Sequence, residues 1–190
     1  MKIGLFFGSF NPVHIGHMII ADHMVQSTDL KQVWLVVSPH NPLKARQSLA
    51  KDHDRLHLVE LAIGDNPNLK ASNVEFGLPV PSYTVDTLAY LEEKYPDKEF
   101  SLIMGADNLD SIEKWKNFRV LLENYDIYIY NRPGYKPEKY TDLPNIRIVN
   151  APLLDISATF IRERLKAGKS VRYLVPDKVY EYLQFSNMYR

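Results

Sequence analysis

Short apolar runs alternate with stretches of helical periodicity along nearly the whole chain, and this alternation does most to restrict its fold. Residues 3–7, 33–37, 100–104, 127–130 and 146–149 have the length and character of buried strands, and 72–76 predicts one more short strand. Between them, Met18, Ile19, Ala21, Met24 and Val25 follow a helical pattern, as do Leu56, Val59, Leu61 and Ile63 before Gly64. Val85, Leu88, Ala89 and Leu91 form a third such face, with Ser82 or Thr84 as its cap and Pro96 beyond its end. A short helical region runs to Leu122, Ser157 caps a helix over 159–166 that Gly168 ends, and Pro176 opens another. Strands separated by helices predict right-handed crossovers and a parallel sheet. The expected fold is therefore α/β, Rossmann-like and doubly wound, with a mostly parallel sheet, helices on both faces, and one domain over residues 1–190. In such a sheet the binding crevice lies beyond the carboxyl ends of the strands.

Four polar motifs follow predicted strands and so converge on that crevice. The first, Gly8-Ser9-Phe10-Asn11-Pro12-Val13-His14-Ile15-Gly16-His17, joins the first strand to the first helix. Gly8 permits a tight turn, Pro12 stiffens it, and His14 and His17, three residues apart, face the same side of the opening turn. Free main-chain N–H groups and the positive dipole end make a helix start an anion site, and two imidazoles beside it suit polyphosphate. A polar helix end is the plain alternative. The Gly-Lys-Ser/Thr ending of a Walker A loop is absent, and with no cysteine there is neither a thiolate metal site nor a cysteine nucleophile.

Each of the other three motifs also has a plain reading beside its functional one. Lys44 ends Pro39-His40-Asn41-Pro42-Leu43-Lys44, where a cation could reach triphosphate or simply be solvated. Gly105-Ala106-Asp107 follows a strand directly, so Gly105 could admit a nucleotide backbone and Asp107 accept a hydroxyl, or cap a helix. Ile156-Ser157-Ala158-Thr159-Phe160-Ile161-Arg162 offers two hydroxyls and a guanidinium at a helix start, suited to phosphate oxygens or to an ordinary cap and charged surface. Lys plus Arg equals Asp plus Glu at 23 each, so no global field favours nucleic acid and a phosphate site must be built locally. No basic flank with a cleavable apolar segment is present, and no apolar stretch approaches membrane-spanning length; the expected setting is cytoplasmic, without membrane or nucleic-acid partners. Oligomeric state stays open, a homo-oligomer included.

The first and last motifs together resemble the paired signature of nucleotidyltransferases with an HxGH motif. Further strings narrow the likeness: Pro81-Ser82-Tyr83-Thr84-Val85-Asp86-Thr87-Leu88, Trp115 eight residues beyond Asp107, Asn131-Arg132-Pro133-Gly134-Tyr135, and Gly168-Lys169-Ser170-Val171-Arg172-Tyr173-Leu174-Val175-Pro176. With these the chain is similar, over essentially its whole length, to bacterial nicotinate-nucleotide adenylyltransferases. The resemblance implies adenylyl transfer from ATP to nicotinate mononucleotide, giving deamido-NAD and pyrophosphate, with Mg²⁺ carried mainly on the ATP phosphates and no metal held by the protein. It implies catalytic roles for His14, His17, Lys44 and Arg162, and ATP binding by Gly8, Ser9, Phe10, Gly105, Asp107, Ile156, Ser157 and Thr159 as well. Tyr83, Thr84, Trp115 and Lys116 are implied at the acceptor, Trp115 as a platform for the pyridine ring. The chain departs from the family in two places: Asn11 stands where Asp is commoner, and Ala158 lacks a hydroxyl that some relatives carry.

Overall fold

A computed structural model describes residues 1–39, 49–131 and 134–190, and Lys44 lies outside them. Six strands form one sheet in the order β3-β2-β1-β4-β5-β6: β1 Lys2–Gly8, β2 Gln32–Val37, β3 Leu69–Ser72, β4 Glu99–Gly105, β5 Ile127–Tyr130 and β6 Ile146–Val149. All five pairings are parallel. Strand order reverses between β1 and β4, the switch point at which doubly wound sheets open a crevice.

Side chains alternate across the sheet and feed two apolar layers. Phe6, Val33, Leu35, Val37, Ile103 and Tyr128 point into one, with α1 Ile15–Ser27, α2 Asp52–Ile63, α6 Ala158–Lys166 and α7 Asp177–Phe185 laid over it. Ile3, Leu5, Trp34, Val36, Leu102, Met104 and Ile129 point into the other, covered by α3 Thr84–Lys94, α4 Ala106–Asp110 and α5 Phe118–Asn124. Burial on both faces is why the strands read as nearly unbroken apolar runs. Among the described residues no helix is long and apolar enough to cross a membrane.

Two expectations fail locally. The third strand is Leu69–Ser72 and not 72–76; it pairs with Val33 to Val36, and the chain then leaves the sheet in a 3-10 turn over Val74–Gly77. Val74 packs on one apolar layer and Phe76 on the other, so their alternation imitates a strand while Glu75 between them turns inward. Nor does Ser82 or Thr84 cap α3. Tyr83 takes the N-cap position with extended backbone and no side-chain bond, and Thr84 is already helical.

Candidate active site

Gly8 and Gly16 each make room for an aromatic ring. Phe10 carries the turn after β1 in the left-handed region, φ 45°, with its ring lying where a Cβ on Gly8 would come within 2.9 Å of it. The turn expected of Gly8 is thus made by Phe10, and Gly8 leaves space beneath it. His14 caps α1 with extended backbone; its N–H donates to His17 Nδ1 at 3.2 Å, while its side chain accepts from the His17 N–H. This reciprocal pair stacks the two imidazoles, centroids 3.6 Å apart and planes 25° from parallel. A Cβ on Gly16 would meet the His14 ring at 3.0 Å, so the glycine between the histidines is the seat of the first ring. Because His17 Nδ1 accepts, the proton of the neutral ring resides on Nε2, which becomes a donor. Phe10 and Phe6 hold the His17 ring edge-on at 5.0 and 6.1 Å.

The helix start is not the open row of amides that the sequence suggests. The Ile15 N–H donates to Leu174 O at 3.0 Å, and the His17 N–H is engaged by His14. Donation to an anion at this position therefore falls to the imidazoles more than to the main chain.

The last motif joins the first. Ser157 is the N-cap of α6, its hydroxyl oxygen accepting from the Phe160 N–H at 3.1 Å, which leaves its own proton available to a ligand oxygen. One turn on, Arg162 Nη1 donates to the main-chain oxygen of Asn11 at 2.8 Å and Nη2 reaches Thr159 Oγ1 at 3.2 Å. Residues 151 positions apart in the chain thus form one edge of the crevice. Ile156 precedes that cap, half-buried against the α1 layer, and Ser9 is fixed through its carbonyl.

Across the switch point, Gly105 ends β4 and is the N-cap of α4, which puts Asp107 in the first helical turn and not at the cap. Trp115, half-buried, lines a cavity of about 30 Å³ with Phe7, Met104, Asn108 and Tyr130 at the ends of β1, β4 and β5. Its Nε1 is buried and has no hydrogen-bond partner among the described residues. The next residue, Lys116, sits 5.0 Å from the Tyr83 ring centroid and 2.8 Å from Asp86 Oδ2, which ties the Trp115 segment to the start of α3 and so to Thr84. The structure therefore gathers Tyr83, Thr84, Trp115 and Lys116 on one side and His14, His17, Thr159 and Arg162 on the other. A larger groove of about 390 Å³ between α6 and α7 shares none of these residues.

Three residues escape the sequence reading. Arg55, fully buried, donates from Nε to Ala50 O, from Nη1 to Ser9 O and Ser38 O, and from Nη2 to Asp52, at 2.6 to 3.0 Å. It clamps the loop after β1 to both flanks of residues 40–48. Its spacing with Leu58 and Val59 on the buried face of α2 is the signal that marks it. Glu75, also buried, accepts from the Thr87 hydroxyl at 2.8 Å; burial pushes its carboxyl up while the hydroxyls of Ser38, Thr87 and Ser82 pull it back. Tyr189 donates to Asn11 Oδ1 at 2.7 Å, a contact with no local sequence signal.

A family model described as cytidylyltransferase-like matches residues 5–164. A probable nicotinate-nucleotide adenylyltransferase of Flavobacterium psychrophilum is 53% identical, with all of both chains covered. One from Cytophaga hutchinsonii is 54% identical over 95% of this chain and 94% of its own. Among solved structures, the nicotinic acid mononucleotide adenylyltransferase of Plasmodium falciparum complexed with NaAD superposes with a TM-score of 0.84, at 20% identity over 99% of this chain and 97% of that one. The last is a likeness of fold, whereas the first three are likenesses of sequence along the chain. The protein belongs to the cytidylyltransferase-like family and, within it, to the nicotinate-nucleotide adenylyltransferases.

Proposed function

We propose that the chain transfers the adenylyl group of ATP to nicotinate mononucleotide, forming deamido-NAD and pyrophosphate, in a single cytoplasmic domain over residues 1–190. The observation that carries this reading is the pairing of two unlike surfaces across the switch point. One side presents stacked imidazoles, hydroxyls and a guanidinium; the other presents aromatic rings, a hydroxyl and a lysine.

The acceptor phosphate is already a nucleophile, so attack on the α-phosphorus in line with departing pyrophosphate needs no protein nucleophile and no dedicated base. What the protein supplies is placement and charge stabilisation. His17, donating from Nε2, is assigned to the α-phosphate as charge builds there, with His14 locking its tautomer and orientation. Ser157, Thr159 and Arg162 are assigned to the departing pyrophosphate, joined by Lys44, which lies outside the described residues. Mg²⁺ would be held mainly by the phosphates of ATP, where it would offset their negative charge. Gly105 and Asp107 border the nucleoside, and Gly8, Phe10 and Ile156 shape the wall against which it packs.

On the acceptor side, Trp115 offers a flat face to the pyridine ring, while Thr84 and its neighbouring N–H groups can donate to a carboxylate. An amide would turn its own N–H toward those donors and leave polar groups poorly paired. Wild type should accordingly show a higher kcat/KM for nicotinate than for nicotinamide mononucleotide. Trp115→Ala should weaken both acceptors together, and Thr84→Ala should narrow the preference. Steady-state kinetics of pyrophosphate release with each acceptor tests this, and a wild-type preference for the amide would overturn the choice of substrate.

A further inference from the structure

Asn11 is where three distant parts of the chain meet. Its side-chain oxygen accepts from the Tyr189 hydroxyl at 2.7 Å and from the Ala50 N–H at 3.1 Å, and its main-chain oxygen accepts from Arg162 Nη1 at 2.8 Å. Tyr189 lies 178 residues away in sequence and is held in the left-handed region at φ 67°, uncommon for a bulky residue. The segment around it is anchored on α7, since the Arg190 guanidinium donates to the main-chain oxygens of Leu183 and Gln184. Burial raises the Tyr189 phenol well above its ordinary value despite the nearby Arg55 and Arg162 charges, so the hydroxyl remains a donor.

We propose that Tyr189 is a positioning residue for adenylyl transfer, acting through Asn11 on Arg162 and hence on the outer phosphates of ATP. The proposal rests on the assignment of Arg162 to those phosphates. Tyr189 and Ala50 together occupy the acceptor sites of the Asn11 side chain and so set the orientation of that residue. The Asn11 carbonyl then holds one nitrogen of the guanidinium, and Thr159 holds another, so the two contacts together fix the plane of the group. Losing the Tyr189 hydroxyl leaves the fold in place and loosens this chain of contacts at its first link.

The test is a double-mutant cycle, with kcat and KM measured for ATP and for the acceptor. Tyr189→Phe keeps the ring and removes one hydrogen bond, so kcat/KM for ATP should fall about three- to tenfold while KM for the acceptor stays within about twofold. In an Asn11→Ala background the same change should cost nothing further, because the link is already gone. In an Asn11→Asp background it should cost more than in wild type, because a hydrogen bond to a carboxylate is roughly twice as strong. Unchanged ATP parameters, equal losses on both substrates, or additive losses in the Asn11→Ala cycle would each overturn the proposal. Should Asn11→Ala not fold, the Asn11→Asp arm decides alone, a larger loss supporting the link and an equal one contradicting it. If wild type prefers another acceptor, the substrate assignment fails, and the cycle is read on ATP with that acceptor instead.

Discussion

His17 can serve as a directed donor because of what surrounds it. The His14 N–H occupies Nδ1, the His14 ring lies flat against it, and two phenylalanines confine its edges, so Nε2 has little freedom of direction. Such preorganisation matters most where charge builds up in the transition state, since no rearrangement is then needed at the moment of reaction. His17→Ala should leave a folded protein, because one cap contact is lost while the apolar layer stays intact. Turnover should fall roughly a hundredfold or more, the usual cost of losing one such donor. A pyrophosphate-release assay alongside a thermal melt separates the two effects; a folded variant with near-normal kcat would remove His17 from the chemistry. The histidine pair was legible in the sequence because i, i+3 spacing at a helix start has one geometry. The reason for Gly16 was not, because it lies in the space taken by the His14 ring.

Between elements, two buried polar groups fasten the loops that form the crevice. Arg55 binds the loop after β1 to the flanks of the loop after β2, and Glu75 binds the turn after β3 to α3 through Thr87. A buried charge is costly unless paired and hydrogen-bonded, and Arg55 meets that condition with Asp52 and three carbonyls. Glu75 has no cation among the causes of its shift, and burial raises its carboxyl above the ordinary 4.5. Below that value the group is protonated in both folded and unfolded chains. As pH rises past it, the unfolded chain releases its proton first, so Glu75 withdraws stability until the folded carboxyl titrates in turn. Glu75→Gln removes this term, and the difference in melting temperature between variant and wild type should move in favour of the variant as pH rises from about 4.5 to neutrality. A difference that stays constant with pH would mean that Glu75 ionises in the fold as readily as outside it. The spacing of Arg55 with Leu58 and Val59 signals only that it is buried; its reach to Ser9 and Ser38, like the Glu75–Thr87 link, was not legible because each joins segments that the fold brings together. The same holds for residues 72–76, where apolar alternation was real but served two layers from a turn.

Over the whole molecule, the two ends of the sheet do different work. At the amino ends of the strands, Lys2 lies between Asp29 and Asp126 at 2.9 and 2.5 Å, Arg147 bridges the same two carboxylates, and the Tyr128 hydroxyl donates to Asp29. Burial works against the charge on Lys2, yet its hydrogen bonds to Asp126 and Asp29 hold it above its ordinary value. Burial likewise opposes the Asp29 charge, but Tyr128 and Lys2 hold that carboxyl below the usual range. Those charged groups pair with one another, while the carboxyl ends of β1, β4 and β6 lead into Gly8 to His17, Gly105 to Asp107 and the stretch ending in Ile156 to Arg162. The architecture was legible because apolar runs separated by helical patterns leave few alternatives to a parallel sheet. The convergence of these motifs followed from it, since each lies in a connection that follows a strand. What could not be read was the further support given by Arg55, Glu75 and Tyr189, whose contacts to Ser9, Thr87 and Asn11 are set by the folded chain. Above all, this crevice is assigned to joining two nucleotides and not merely to holding them. Incubating the protein with MgATP and nicotinate mononucleotide, and following products by mass and by pyrophosphate release, tests it directly. Deamido-NAD and pyrophosphate should appear in equal amounts; both ligands bound with no dinucleotide formed would mean that the crevice only holds them.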